Sequence, residues 1–190
     1  MVKKIVIVDD EPITTLDLRE QLEEFGYNVV GQASDGFRAI ELCKDENPDL
    51  VIMDIKMPIL DGIKASKKIM HDELAGGILF LTAFYDEEFV KKAKEIGAIG
   101  YLVKPLDEKS FIPTVEMCLS RAEEIRRLRK QVDKVSKKLE DRKVIDIAKG
   151  LLMQEKNLNE EDAFKMLRKM SMDGRTSMGE IARTIALVYD

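Results

Sequence analysis

Short apolar runs and longer amphipathic stretches alternate through the first part of the chain. Lys4–Val8, Val29–Ala33, Leu50–Met53, Ile78–Leu81 and Gly100–Val103 are mostly apolar and four or five residues long. Such runs predict strands buried on both faces of a parallel sheet. Between them apolar residues return at helical spacing: Ile13, Leu16, Leu18, Leu22 and Phe25, then the stretches Phe37–Lys44, Ile63–Met70 and Phe89–Ile96. Gly26 and Gly97 close the first and last of these. Five strand–helix alternations predict an α/β domain with a doubly wound five-stranded parallel sheet. In that architecture ligands bind at the carboxyl ends of the strands.

After Pro105 the pattern changes, and no strand-like run follows. Ile125, Leu128, Val132, Val135 and Leu139 are spaced 3-4-3-4, the seam of a coiled coil, and basic residues flank them. The stripe predicts either a dimer seam or packing against its own protein. Three helices are expected beyond it. One continues through Val144, Ile145, Ala148, Leu151 and Leu152 to about Met153. A second has Asn159 as N-cap and carries Ala163, Phe164, Leu167 and Met170. A third follows Gly174, capped by Thr176 or Ser177, with Ile181, Ala182, Ile185 and Val188. Phe164 is expected in the core, as are Met153, Met166, Met170 and Met172.

Charge sharpens this division. The chain has 190 residues and a net charge of -5. Residues 1–120 hold 14 Lys and Arg against 23 Asp and Glu, whereas residues 121–190 hold 17 against 13. An acidic module joined to a basic one predicts two jobs, the second facing a polyanion. No apolar run approaches the ~20 residues of a membrane helix, and the start of the chain lacks the apolar core of a signal peptide. Cys43 and Cys118 have no metal-ligand spacing and are expected as free thiols in a reducing cytoplasm.

The chemistry gathers where the sheet would place it. Asp9, Asp10 and Glu11 follow the first strand, Asp54 the third and Lys104 the fifth, and Thr82 ends the fourth. Three carboxylates at one sheet edge require a cation, and oxygen ligands favour a hard one such as Mg2+. With a lysine and a hydroxyl beside them, these groups can accept and hold a phosphoryl group.

Asp9-Asp10-Glu11, Met53-Asp54-Ile55-Lys56-Met57-Pro58-Ile59-Leu60-Asp61-Gly62, Leu81-Thr82-Ala83 and Lys104-Pro105 resemble the signature of two-component receiver domains, a match over about residues 3–120 within a domain expected to span 1–120. The resemblance implies a flavodoxin-like fold with Asp54 as phosphoacceptor. It implies Mg2+ held by Asp9, Asp10, Asp54 and the backbone carbonyl of Lys56. Thr82 and Lys104 would bind phosphate, Tyr101 would be the aromatic switch, and the bond to Pro105 would be cis. The donor would be a phosphohistidine on a sensor histidine kinase. The receiver would catalyse its own phosphotransfer and slow autodephosphorylation, and would not be an enzyme in the ordinary sense.

Residues 121–141 read as a helical linker and residues 142–190 as an output domain, and a second resemblance covers about residues 130–190. Arg142, Ile145, Ala148-Lys149-Gly150-Leu151-Leu152-Met153, Asn159 to Phe164, Leu167-Arg168, Ser171-Met172 and Ile181-Ala182 are similar to the ANTAR output domain. That resemblance implies a three-helix module that binds paired hairpins in an mRNA leader and prevents transcription termination, acting as a homodimer on phosphorylation. Arg142, Lys143, Lys149, Gly150, Arg168 and Arg175 are the candidate RNA-binding residues, with Lys165, Lys169 and Arg183 as further cations. Gly150 admits two readings, tight helix packing or close approach of a partner. A tail that binds DNA or a protein partner is the alternative. Few aromatics (Phe164 and Tyr189) stand ready to stack on bases.

Overall fold

The computed structural model describes residues 2–83 and 87–189, apart from the side chains of Glu108 and Tyr189. The ring of Tyr189 therefore lies outside the described residues. The chain divides into two compact units, Met1–Arg127 and Leu128–Asp190.

The first unit is an α/β sandwich. Its elements are β1 (Lys4–Val8), α1 (Pro12–Glu24), β2 (Asn28–Ala33), α2 (Gly36–Glu46), β3 (Leu50–Met53), α3 (Gly62–His71), β4 (Ile78–Thr82), α4 (Glu87–Ile96) and β5 (Gly100–Val103). α5 (Glu108–Lys156) begins in this unit and ends in the next. The five strands are parallel in the order β2-β1-β3-β4-β5.

The period of two along each strand sorts the core into two layers. Ile5, Ile7, Leu50, Ile52, Leu79 and Leu81 pack with Leu18 and Leu22 of α1 and with Phe111, Val115 and Leu119 of α5. Val6, Val8, Val51, Met53, Ile78 and Phe80 pack with Ala39 and Cys43 of α2, Ala65 and Ile69 of α3 and Ala93 of α4. Local signals set the helix limits. The Asp35 carboxylate accepts from the N–H groups of Phe37 and Arg38 at the start of α2, and Asp61 accepts from Lys64 N–H at the start of α3. Asn47 (φ 47) ends α2, while Gly26 and Gly97 (both φ 82) follow α1 and α4. In α1 the buried residues are Thr15, Leu18 and Leu22, while Ile13, Leu16 and Phe25 are exposed. Helical periodicity revealed the helix there, but not which side faces the sheet.

The second unit consists of the end of α5, α6 (Glu160–Asp173) and α7 (Met178–Tyr189). Asn159 caps α6, accepting from Asp162 N–H. Ser177 and Glu180 form a reciprocal capping box at α7. The core is small: Ala148, Leu152, Ala163, Leu167, Ala182 and Ile185. Met153 and Met166 pack against it. Phe164 does not, being 40% exposed, and Met170 and Met172 are exposed too. α6 buries its Ala163–Leu167 side, so Phe164 is turned away and the two methionines lie beyond the last core contact. Leu128, Val132, Val135 and Leu139 are also exposed, Val132 at 63% and Leu139 at 57%, so this part of the stripe does not pack on its own unit. Ile125 is half-buried. No helix of the described residues is long and apolar enough to cross a membrane.

Candidate functional site

Sheet register builds the first site. Val8 of β1 is level with Met53 of β3, and Thr82 of β4 is level with Val103 of β5. The residues that follow therefore emerge from one edge. Backbone bonds hold them there: Asp54 N–H donates to Val8 O at 2.8 Å and Lys104 N–H to Thr82 O at 2.8 Å.

Lys104 closes the cluster. Its Nζ lies 2.6 Å from Asp9 Oδ2, 3.6 Å from Glu11 Oε2 and 3.8 Å from Asp54 Oδ2. Burial works to lower its pKa, but the hydrogen bond to Asp9 and the charges of Asp9, Asp54 and Glu11 outweigh it, and the net shift is upward. Asp54 moves upward as well. Desolvation is the main cause, the charge of Asp9 adds to it, and Lys104, Ile55 N–H and Thr82 oppose it. The two Asp54 oxygens differ: Oδ1 accepts from Ile55 N–H at 2.6 Å, leaving Oδ2 on the Lys104 side.

Asp9 and Asp54 are buried, whereas Asp10 is exposed. One oxygen from each of the three can lie within 4.8 Å of the others. A donor set made only of carboxylate oxygens fits a hard divalent ion and fits a soft one poorly. The Lys104–Pro105 peptide is cis. Thr82 is fully buried. Tyr101 is half-buried, its ring 6.5 Å from that of Phe80 and tilted by 56°. The Lys56 side chain reaches over the Phe89 ring of α4, 6.0 Å from its centroid.

Two supports were not foreseen from the sequence. Ile55 N–H fixes one Asp54 oxygen, a backbone role that residue type does not reveal. Gly62 starts α3 against the Asp54 carbonyl, where any Cβ would collide with that oxygen. The Asp61-Gly62 pair was the signal for the second, since glycine after a capping aspartate permits close backbone approach.

The candidate residues of the second unit do not converge in this way. Arg142, Lys143, Arg168 and Arg175 are exposed, and Arg175 takes a left-handed φ of 50° after α6. Lys149 is already engaged, with Nζ 2.9 Å from Asp146 Oδ1 and 2.8 Å from Glu160 Oε1. Its hydrogen bonds to Glu160 and Asp146 raise its pKa. Arg183 is held 2.5 Å from Asp141 Oδ1, and Lys165 pairs with Glu161.

Residues 5–116 match the response regulator receiver domain, and residues 133–185 match the ANTAR domain. The chain is 43% identical over 183 residues to the transcriptional regulatory protein PdtaR of Mycobacterium tuberculosis, an alignment covering 96% of this chain and 89% of that one. It is 38% identical over 120 residues to the chemotaxis protein CheY of Halobacterium salinarum, covering 63% of this chain and 99% of that protein. Among solved structures, the CheX–CheY–BeF3–Mg2+ complex of Borrelia burgdorferi matches with a TM-score of 0.57 and 34% identity, over 60% of this chain and 86% of that one.

Proposed function

Because the chain belongs to the response regulator receiver family and carries an ANTAR domain behind its receiver, we propose that it is a phosphorylation-switched, RNA-binding antiterminator. The observation that carries this reading is the pairing, in one chain, of the Lys104-closed carboxylate cluster with an ANTAR unit of exposed cations. A sensor kinase and an RNA target follow from that composition.

At the first site Asp54 is the nucleophile. Its Oδ2 attacks the phosphorus of a phosphohistidine in line, the new P–O bond forms as the P–N bond breaks, and the electron pair leaves on the imidazole nitrogen. Ile55 N–H keeps the other oxygen in place, and Lys104 stands 3.8 Å from Oδ2 to meet the incoming negative charge. Asp9, Asp10 and Asp54, with the Lys56 carbonyl, would hold Mg2+, which when bound supplies charge neutralisation at the phosphoryl oxygens. Thr82 then turns to the phosphoryl group, Tyr101 packs inward behind it, and the surface of α4, β5 and α5 changes. Dimerisation there, extended by the exposed stripe from Leu128 to Leu139, sets two ANTAR units to act together. Two weak hairpin contacts joined in this way gain ~10²–10⁴ in affinity. An mRNA target places the protein in the cytoplasm, which suits two thiols with no disulfide.

The DNA alternative is weakened by α7. Its single cation, Arg183, is bound to Asp141, so a helix otherwise poor in polar groups has little to offer a groove.

The test is binding of the purified chain to a leader RNA carrying two hairpins, with and without a small-molecule phosphodonor and Mg2+, beside a duplex DNA control. Tight, RNA-selective binding that strengthens with phosphodonor is expected. RNA binding absent in both states would refute the output and leave the receiver standing.

A further inference from the structure

Of the 11 glycines in the chain, ten have a local reason to be glycine. Gly26 and Gly97 take positive φ, and at eight others a Cβ would come within 3.1 Å of a neighbouring atom. Gly150 is the exception. It lies inside α5 with no positive φ, and a Cβ there would meet no described atom within 4 Å. A glycine in a helix interior is less favourable than alanine by about 1 kcal/mol. Nothing in its own unit offsets that cost, so packing between helices does not explain Gly150.

Its surroundings indicate what does. Lys143, Ile147, Gly150 and Gln154 are spaced 4-3-4 and therefore share one face of α5. All four are exposed, Ile147 at 54%, and the opposite face carries the buried Ala148 and Leu152. One turn before Gly150, Asp146 is neutralised by Lys149 and also feels the charge of Arg142. Lys143 makes no ion pair among the described residues. Lys143, with Arg142 beside it, thus supplies positive charge next to a patch with no side chain, which is flanked by an aliphatic group and an amide.

We propose that this face, centred on Gly150, is where the RNA sugar–phosphate chain comes closest to the protein. The missing side chain lets the backbone lie against the helix, and Lys143 takes a phosphate. Ile147 and Gln154 meet an unstacked loop base, one by apolar contact and one through its edge. Lys149 has a positioning role: by holding Asp146 and Glu160 it removes a carboxylate's repulsion from the path of the phosphates. The proposal rests on the RNA-binding reading above and assigns that reading to one surface.

The experiment compares the full chain with its Gly150→Ala variant, using a synthetic RNA of two short stem-loops as probe. Alanine is the better helix former and would touch nothing, so the variant should melt no lower than the parent and take up phosphate equally. Self-association should not change, while RNA affinity should fall about tenfold or more, roughly 1.4 kcal/mol. Lys143→Gln should also weaken RNA binding and flatten its dependence on salt. Unchanged RNA affinity in Gly150→Ala overturns this assignment alone. Lost self-association with unchanged RNA affinity also overturns it and gives the face to a second copy of the chain. A parent protein that binds no stem-loop RNA overturns both this proposal and the function on which it rests.

Discussion

Each unit of this protein contains a lysine clasped by carboxylates, and the two clasps are built differently. Lys104 meets Asp9 and Asp54 across gaps of 95 and 50 residues, at the end of a sheet covered on both faces. Lys149 meets Asp146 one helical turn away and Glu160 just beyond the next turn of chain, on the outside of three helices. In the first clasp the scaffold holds charges together that would otherwise separate, in a poorly solvated place where each charge strongly affects the next. In the second, Lys149 is as covered as Lys104, but both carboxylates lie open to water, which competes for them and leaves the contact with little energetic consequence. The first arrangement suits chemistry on a small charged group. The second suits an adjustable surface.

The contrast can be broken most severely at Asp54. Asp54→Asn should take up no phosphoryl group from acetyl phosphate and Mg2+, as read by intact mass; retained uptake would refute the site. The same variant tests the electrostatics. Burial, with the charge of Asp9, raises the folded pKa of Asp54 above its ordinary 3.8. The ionised group therefore opposes folding at neutral pH, and this penalty disappears as pH falls through the folded value toward the unfolded one. In metal-free buffer Asp54→Asn should melt higher than the parent at pH 7, with the gain shrinking to nothing on acidification.

A smaller effect is expected at Lys104. Lys104→Met strands the buried Asp9 carboxylate and should cost about 3–5 kcal/mol in metal-free buffer by chemical denaturation. Added Mg2+ should recover more stability in this variant than in the parent. Equal stability without metal would mean that Lys104 and Asp9 are not coupled as their 2.6 Å separation implies. The smallest effect belongs to the second clasp. Lys149→Ala should leave the melting temperature nearly unchanged, since its partners are open to solvent, while weakening RNA binding.

The same difference governs how much could be read from the sequence. Strands buried on both faces leave unbroken apolar runs, and the polar residues just after them must share an edge once the sheet is parallel. The positions of Asp9, Asp54, Thr82 and Lys104 were therefore legible, together with the order of elements. The helical unit gave its helices and its core line of Ala148, Leu152, Ala163, Leu167, Ala182 and Ile185. Periodicity leaves the rotation of a helix about its axis uncertain by tens of degrees, and residues at the margin of an apolar face were misjudged for that reason. Phe164 is the clear case. The pairing of Arg183 with Asp141 was hidden too, since it depends on how α7 packs against α5 and leaves no spacing pattern.

Gly62 has a consequence for genetics. The start of α3 is laid so close behind Asp54 that no side chain can be added at position 62 without moving the Asp54 carbonyl. A screen for loss of signalling would recover Gly62 alongside Asp54, although glycine has no group to offer a phosphate. Intolerance of substitution therefore extends behind the carboxylate cluster, into the backbone that supports it.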